Sequence, residues 1–148
     1  MNWQKAAVED LQKYDAMCRS LDNIPLRIAA LKSAYESLSL RRGAATGQSR
    51  LPGGLSRIED RLLDNIVERQ RLGHSYKAMK GLVTLVRRGI SGLDERERLV
   101  LERFFIRREA GHVEKLMEEL HYEKSRVYTL KNQALYKFTL SMYGLSDL

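Results

Sequence analysis

Lys124, Ser125, Arg126, Tyr128, Thr129, Lys131, Asn132 and Gln133 crowd cationic and hydrogen-bonding side chains into one short stretch near the C-terminus. The chemistry they offer is binding. Lysine and arginine donate to phosphate oxygens, arginine also matches the guanine edge, and the carboxamides of asparagine and glutamine match adenine. Catalytic constellations are missing from the sequence pattern. His74, His112 and His121 lack ligand spacing with carboxylates, and Cys18 is the only cysteine and has no neighbouring histidine. The stretch "GAATGQS" has neither the lysine nor the preceding strand of a phosphate loop, and reads as a linker. Asp94, Glu95 and Glu97 suit a helix start better than an acid–base pair. The sequence therefore predicts a non-enzymatic protein with no cofactor and no metal.

The elements that must position those eight residues follow from apolar spacing. Leu116, Met117 and Leu120 form one short helical face, and Val127, Leu130, Ala134, Leu135 and Phe138 form a second. This spacing predicts a helix over 112–120, a turn over 121–124, and a helix from about 125 to 142 that stops at Gly144. Two helices joined so tightly have the form of a helix-turn-helix, whose second helix offers its N-terminal residues to the DNA major groove. Upstream, "GISGLDERERLVLERFF" predicts another helix, with Asp94 at its start, acids in its first turn, and Leu99, Val100, Leu101, Phe104 and Phe105 on its apolar face.

Charge agrees with an anionic partner. Twenty-six Lys and Arg against 19 Asp and Glu give +7, the balance expected of a nucleic-acid binder. The distribution says more than the sum. Between Asp94 and Glu119 lie eight carboxylates, whereas Lys124 to Lys137 holds four cations and no acid. The basic residues Arg57, Arg61, Arg69, Arg71, Lys77, Lys80, Arg87 and Arg88 offer a second phosphate-binding surface as one reading, and a solvated helix face as the favoured one. With a single cysteine, no signal-peptide pattern and no apolar run of about 18 residues, the chain is expected to be cytoplasmic, with no membrane contact.

The N-terminal part predicts long helices. Trp3, Ala7, Leu11, Tyr14, Met17 and Leu21 start an apolar stripe that continues to Leu38, and a second runs from Ile58 to Ile90. "LDNIPLRI" predicts a kink or tight break, with Asn23 capping a new helix and Pro25 in its first turn. Gly43 to Gly54 is a loop, and Ser56 with Glu59 has the form of a capping box. Gly73 and Gly81 mark places for a bend or break. The two stripes bury each other as a helical hairpin or pair with a second copy, and the sequence does not choose between these. A homodimer through the N-terminal helices is the expected assembly, and Trp3 is expected to pack at the hairpin end.

At "LDERERLVLERFF" followed by "VEKLMEELHYEKSRVYTLKNQAL" the chain resembles the fourth conserved region of bacterial sigma factors, over roughly residues 93–138. The resemblance implies promoter-DNA contact by Lys124, Ser125, Arg126, Tyr128, Thr129 and Gln133, with Lys131 or Asn132 towards the backbone or neighbouring bases. Two positions depart from that pattern: His121 stands where glycine is common in the turn, and Glu123 where a capping Ser or Thr is common. The whole chain, including "NWQKAAVEDLQKYDAM", "EDRLLDNIVERQRL" and "EKSRVYTLKNQALYKFTLSMYG", is similar to small phage-encoded ArpU-like and sigma-like transcriptional regulators of Gram-positive bacteria and their prophages. Residues 1–92 lack the aromatic-rich promoter-melting domain of a complete sigma factor.

The expectation is thus an all-α protein. Residues 1–92 form a coiled-coil-like helical hairpin for assembly or partner contact, with a flexible loop at 43–54, and residues 93–148 form a sigma-like helix-turn-helix domain that binds double-stranded promoter DNA. The competing expectation is an adaptor that binds RNA polymerase or a sigma factor through the same fold, supported by the acidic segment from Asp94 to Glu109. A third is a phage packaging or structural adaptor.

Overall fold

The computed structural model describes residues 2–46 and 54–145, and among these the protein is all-α, without a strand. Helix α1 spans Trp3–Thr46, α2 Gly54–Ser91, α3 Glu95–Leu101, α4 His112–Leu120 and α5 Lys124–Tyr143, with a π-helical turn at Glu102–Ile106 after α3. The chain divides into two compact units, one of residues 1–18 with 81–148 and the other of residues 19–80.

Neither α1 nor α2 is broken where the sequence pattern allowed a break. Helix α1 runs through Asn23 and Pro25 without a break. Proline inside a helix removes the N–H that would bond the carbonyl four residues back, here that of Leu21, at a cost of about 3 kcal/mol. Pro25 is exposed, so water can serve that carbonyl, while Leu21, Ile24 and Ile28 stay half-buried in one phase on both sides of it. Packing of the continuous stripe outweighs the local penalty. Helix α2 likewise continues through Gly73 and Gly81, because a missing Cβ costs only about 1 kcal/mol in a helix held by its apolar face. The expected loop starts later than Gly43, since α1 continues to Thr46, and residues 47–53 lie outside the described residues. So does the Ser56 side chain of the expected capping box.

In the unit of residues 19–80, α1 and α2 touch through polar groups. Asn65, buried on α2, donates its amide to the Leu31 carbonyl at 2.8 Å and accepts from Arg69 Nε at 2.9 Å. The Arg69 guanidinium lies 5.0 Å above the Tyr35 ring. Arg69, the polar exception in the second stripe, is accommodated by these two partners.

The other unit holds the larger core. Asp94 starts α3 with a reciprocal capping box: its carboxylate accepts from the Glu97 N–H at 2.8 Å, and the Glu97 carboxylate accepts from the Asp94 N–H at 3.1 Å. The π-helical turn closes with the Arg107 N–H on the Glu102 carbonyl and buries Phe104. Phe104 joins Val100, Val113, Leu116 and Val127 in one cluster, which locks α3, α4 and α5 together. Phe138 is fully buried and packs where Gly89 lets α2 approach α5. The first turns of α1 belong to this unit: Ala7 and Leu11 are fully buried, the Trp3 ring lies 5.3 Å from that of Tyr143, and the Tyr143 hydroxyl donates to Asp10.

Candidate nucleic-acid interface

Helix α4 ends on His121, whose backbone adopts the left-handed conformation at φ 57°. This residue turns the chain, and Glu123 in extended conformation starts α5 without a side-chain cap. Val127, Ala134, Leu135, Phe138 and Thr139 take the buried side of α5. Helical spacing then places Ser125, Thr129, Asn132 and Gln133 on the opposite side, and all four are exposed. The Thr129 hydroxyl donates back to the Ser125 carbonyl at 3.0 Å, leaving its lone pairs outward as acceptors.

The remaining four predicted residues divide. Lys124 and Arg126 are exposed at the N-terminal end of α5. Tyr128 lies on the flank of the helix, its ring edge-on to Phe104 at 5.7 Å, and Lys131 is half-buried with its ammonium 5.5 Å from both rings. Tyr128 and Lys131 therefore help close the core cluster as well as bordering the open face.

Two arginines converge beside this face. Arg126 stacks over the Tyr122 ring at 4.1 Å, and Arg96, from the first turn of α3, lies 5.6 Å from the same ring and donates to its hydroxyl. Among the described residues neither guanidinium has a carboxylate partner, nor have Lys124 and Lys131. Arg103, Arg107, Lys115 and Lys137 by contrast are all ion-paired, with Glu119, Asp15 and Glu102, Glu109, and Glu97 respectively. Four of the eight carboxylates between Asp94 and Glu119 are thus engaged in ion pairs within the chain, whereas Arg96, Lys124, Arg126 and Lys131 border the open face of α5 without one among the described residues. Cations near an aromatic face gain about 0.5–1 kcal/mol at exposed sites, enough to orient them without neutralising them.

The open face continues onto α1. Gln4 lines a shallow cleft of about 320 Å³ together with Thr129, Asn132, Gln133 and Tyr136. Sequence reasoning missed Gln4, Tyr122 and Arg96. Arg96 stands between two acids in a segment that looks acidic as a whole, and nothing in the spacing of Gln4 signals that it meets α5. Among the described residues no three His, Cys, Asp or Glu side chains converge as metal ligands, and no helix is long and apolar enough to cross a membrane. No protein-family model matches the sequence, and neither the curated proteins nor the solved structures give a significant match.

Proposed function

We propose that this chain is a transcriptional regulator of phage or prophage type that binds double-stranded DNA, with α4 and α5 acting as a helix-turn-helix and the N-terminal half of α5 entering the major groove. The observation that carries the reading is the meeting of Arg96 and Arg126 at Tyr122, unpaired with acid among the described residues, beside an exposed row of uncharged hydrogen-bonding side chains. The two parts divide the work of DNA recognition. Arg96, Lys124 and Arg126 suit phosphates, which position a protein on the duplex, and Ser125, Thr129, Asn132 and Gln133 suit base edges, which specify the sequence. Nothing in this role requires catalysis or a cofactor.

Binding to RNA polymerase or a sigma factor is the second reading. It rests on the acidic segment from Asp94 to Glu109, but Glu97, Glu102 and Glu109 are engaged by Lys137, Arg107 and Lys115. Fewer free carboxylates favour the DNA reading.

The test is selection of bound fragments from genomic DNA, followed by affinity measurements across a salt series. One enriched motif is expected for the wild type. Lys124→Glu with Arg126→Glu should abolish binding, and Arg96→Ala should weaken it on all sequences while lowering the salt slope by about one released counterion. Gln133→Ala should relax the motif at one position by about 1–3 kcal/mol and leave the salt slope alone. Weak binding without a motif, indifferent to charge reversal at Lys124 and Arg126, would overturn the DNA reading in favour of the protein adaptor.

A further inference from the structure

Helix α1 has a second seam. On the side away from the half-buried Ile24, Ile28, Leu31 and Tyr35, the residues Asn23, Leu26, Ala30, Ser33, Ser37 and Leu40 recur at alternating steps of three and four. All six are exposed, Leu26 to 69% and Leu40 to 77%. Taken as coiled-coil heptads, these steps put Asn23, Ala30 and Ser37 at a positions and Leu26, Ser33 and Leu40 at d positions, so that two exposed leucines, both at d, are the large apolar side chains of the seam. The unit of residues 19–80 is otherwise thinly packed, since Leu62 is its one buried apolar side chain among those described.

We infer that a second copy of this chain covers the seam, pairing α1 with α1 in parallel. The charges flanking the seam select both partner and direction. Asp22 and Glu36 lie on one flank, Arg27 and Arg41 on the other, all exposed. In a parallel two-stranded coiled coil, a residue on the first flank faces the residue five positions later on the second flank of the partner helix. Asp22 then meets Arg27 of the second copy and Glu36 meets Arg41, in both directions across the twofold axis. An antiparallel pair would set Arg27 against Arg41 on one flank. Asn23 meets its own copy at an a position, where asparagine fixes register and favours two strands. The outer face of α2 lacks this pattern: a parallel seam through the exposed Leu63 and Val67 would set Glu59 against Asp64. The pairing is independent of what α5 binds.

Sedimentation equilibrium of the full chain at low salt tests it. Because four of the six seam residues are small or polar, a weak dimer is expected, its mass rising from one chain to two over about 1–100 µM. Leu26→Lys with Leu40→Lys should hold the protein monomeric, with helicity by circular dichroism unchanged because both side chains are exposed in the single chain. Glu36→Lys alone and Arg41→Glu alone should each weaken self-association about 5- to 30-fold, while an equimolar mixture of the two restores it, since each chain then carries the complement of the other. A wild type that stays at 17.1 kDa throughout, or self-association that survives the two lysines, would overturn the pairing. Failure of the mixture to restore association would overturn its parallel register.

Discussion

Glu97 caps its own helix with one carboxylate oxygen and holds Lys137 of α5 with the other, the Nζ lying 2.9 Å away. The carboxylate is almost wholly buried while the lysine stem reaches it from the exposed side, so the two partners are not equivalent. Removing Lys137 strands a buried charge. Lys137→Met is expected to destabilise the protein, and Glu97→Gln, which can still accept from the Asp94 N–H, to cost about 1 kcal/mol. The double variant should cost less than the sum of the two. Urea denaturation of all four proteins gives the coupling directly, and strict additivity would mean that the contact contributes nothing.

Gly89 and Gly81 sit on the same helix and should respond to alanine with opposite signs. A Cβ on Gly89 would come within 2.8 Å of the Phe138 ring, which is fully buried and has no room to move, whereas one on Gly81 would meet nothing within 4 Å. Gly89→Ala is expected to destabilise by about 1–3 kcal/mol through overpacking. Gly81→Ala should stabilise by up to about 1 kcal/mol, because alanine loses less backbone freedom in the helix. Thermal melts of the two variants separate a glycine needed for close approach from one that merely weakens its helix.

Alkaline pH should loosen the contact between the start of α1 and the end of α5. Burial, and then the hydrogen bond to Asp10, push the Tyr143 hydroxyl up to about 12. The Lys137 ammonium is also raised, by its hydrogen bond to Glu97. Both groups hold their proton more tightly folded than unfolded. Their stabilisation is complete below the unfolded values, about 10 for tyrosine and 10.4 for lysine, and is lost as pH rises through the folded values. Tyr143→Phe keeps the ring against Trp3 but removes one of the two protons, so its stability should fall less than that of the wild type between about pH 10 and 12. Equal slopes would show that Tyr143 does not report on folding.

Local patterns were legible in the sequence and long-range partnerships were not. The bounds of α4, the stop of α5 at Gly144 and the start of α3 at Asp94 follow from caps and apolar spacing, whose physics acts over three or four residues. Pro25 misleads for the same reason: its local penalty is visible, while the stripe that overrides it extends along the whole of α1. Of the candidate site, the exposure of Ser125, Thr129, Asn132 and Gln133 follows from helical period once Val127 and Ala134 are placed inside. The packing of Lys131 and Tyr128 on Phe104, the meeting of Arg96 with Arg126, and the arrival of Gln4 beside Thr129 depend on how separate helices cross. No one-dimensional period encodes that crossing.

The turn before α5 joins two unfavourable local choices, which makes it a place where stability can be gained. His121 adopts φ 57°, a conformation that costs a residue with a Cβ about 1–2 kcal/mol and glycine almost nothing. Two residues later Glu123 occupies the N-cap of α5 in the extended conformation a capping side chain needs, yet makes no cap hydrogen bond. His121→Gly should therefore stabilise the protein by about 1 kcal/mol, less the extra freedom glycine gives the unfolded chain, and Glu123→Ser by a further 0.5–1 kcal/mol or about that. Neither side chain is in the buried core, so the gains should add. On the proposed function the two changes part company: Glu123→Ser also removes an anion next to Lys124 and should tighten DNA binding, most at low salt, whereas His121→Gly leaves the charge at the α5 start unchanged. Denaturation and anisotropy on the same two proteins read both effects, and stabilisation by Glu123→Ser without a gain in affinity would place the start of α5 away from the phosphates.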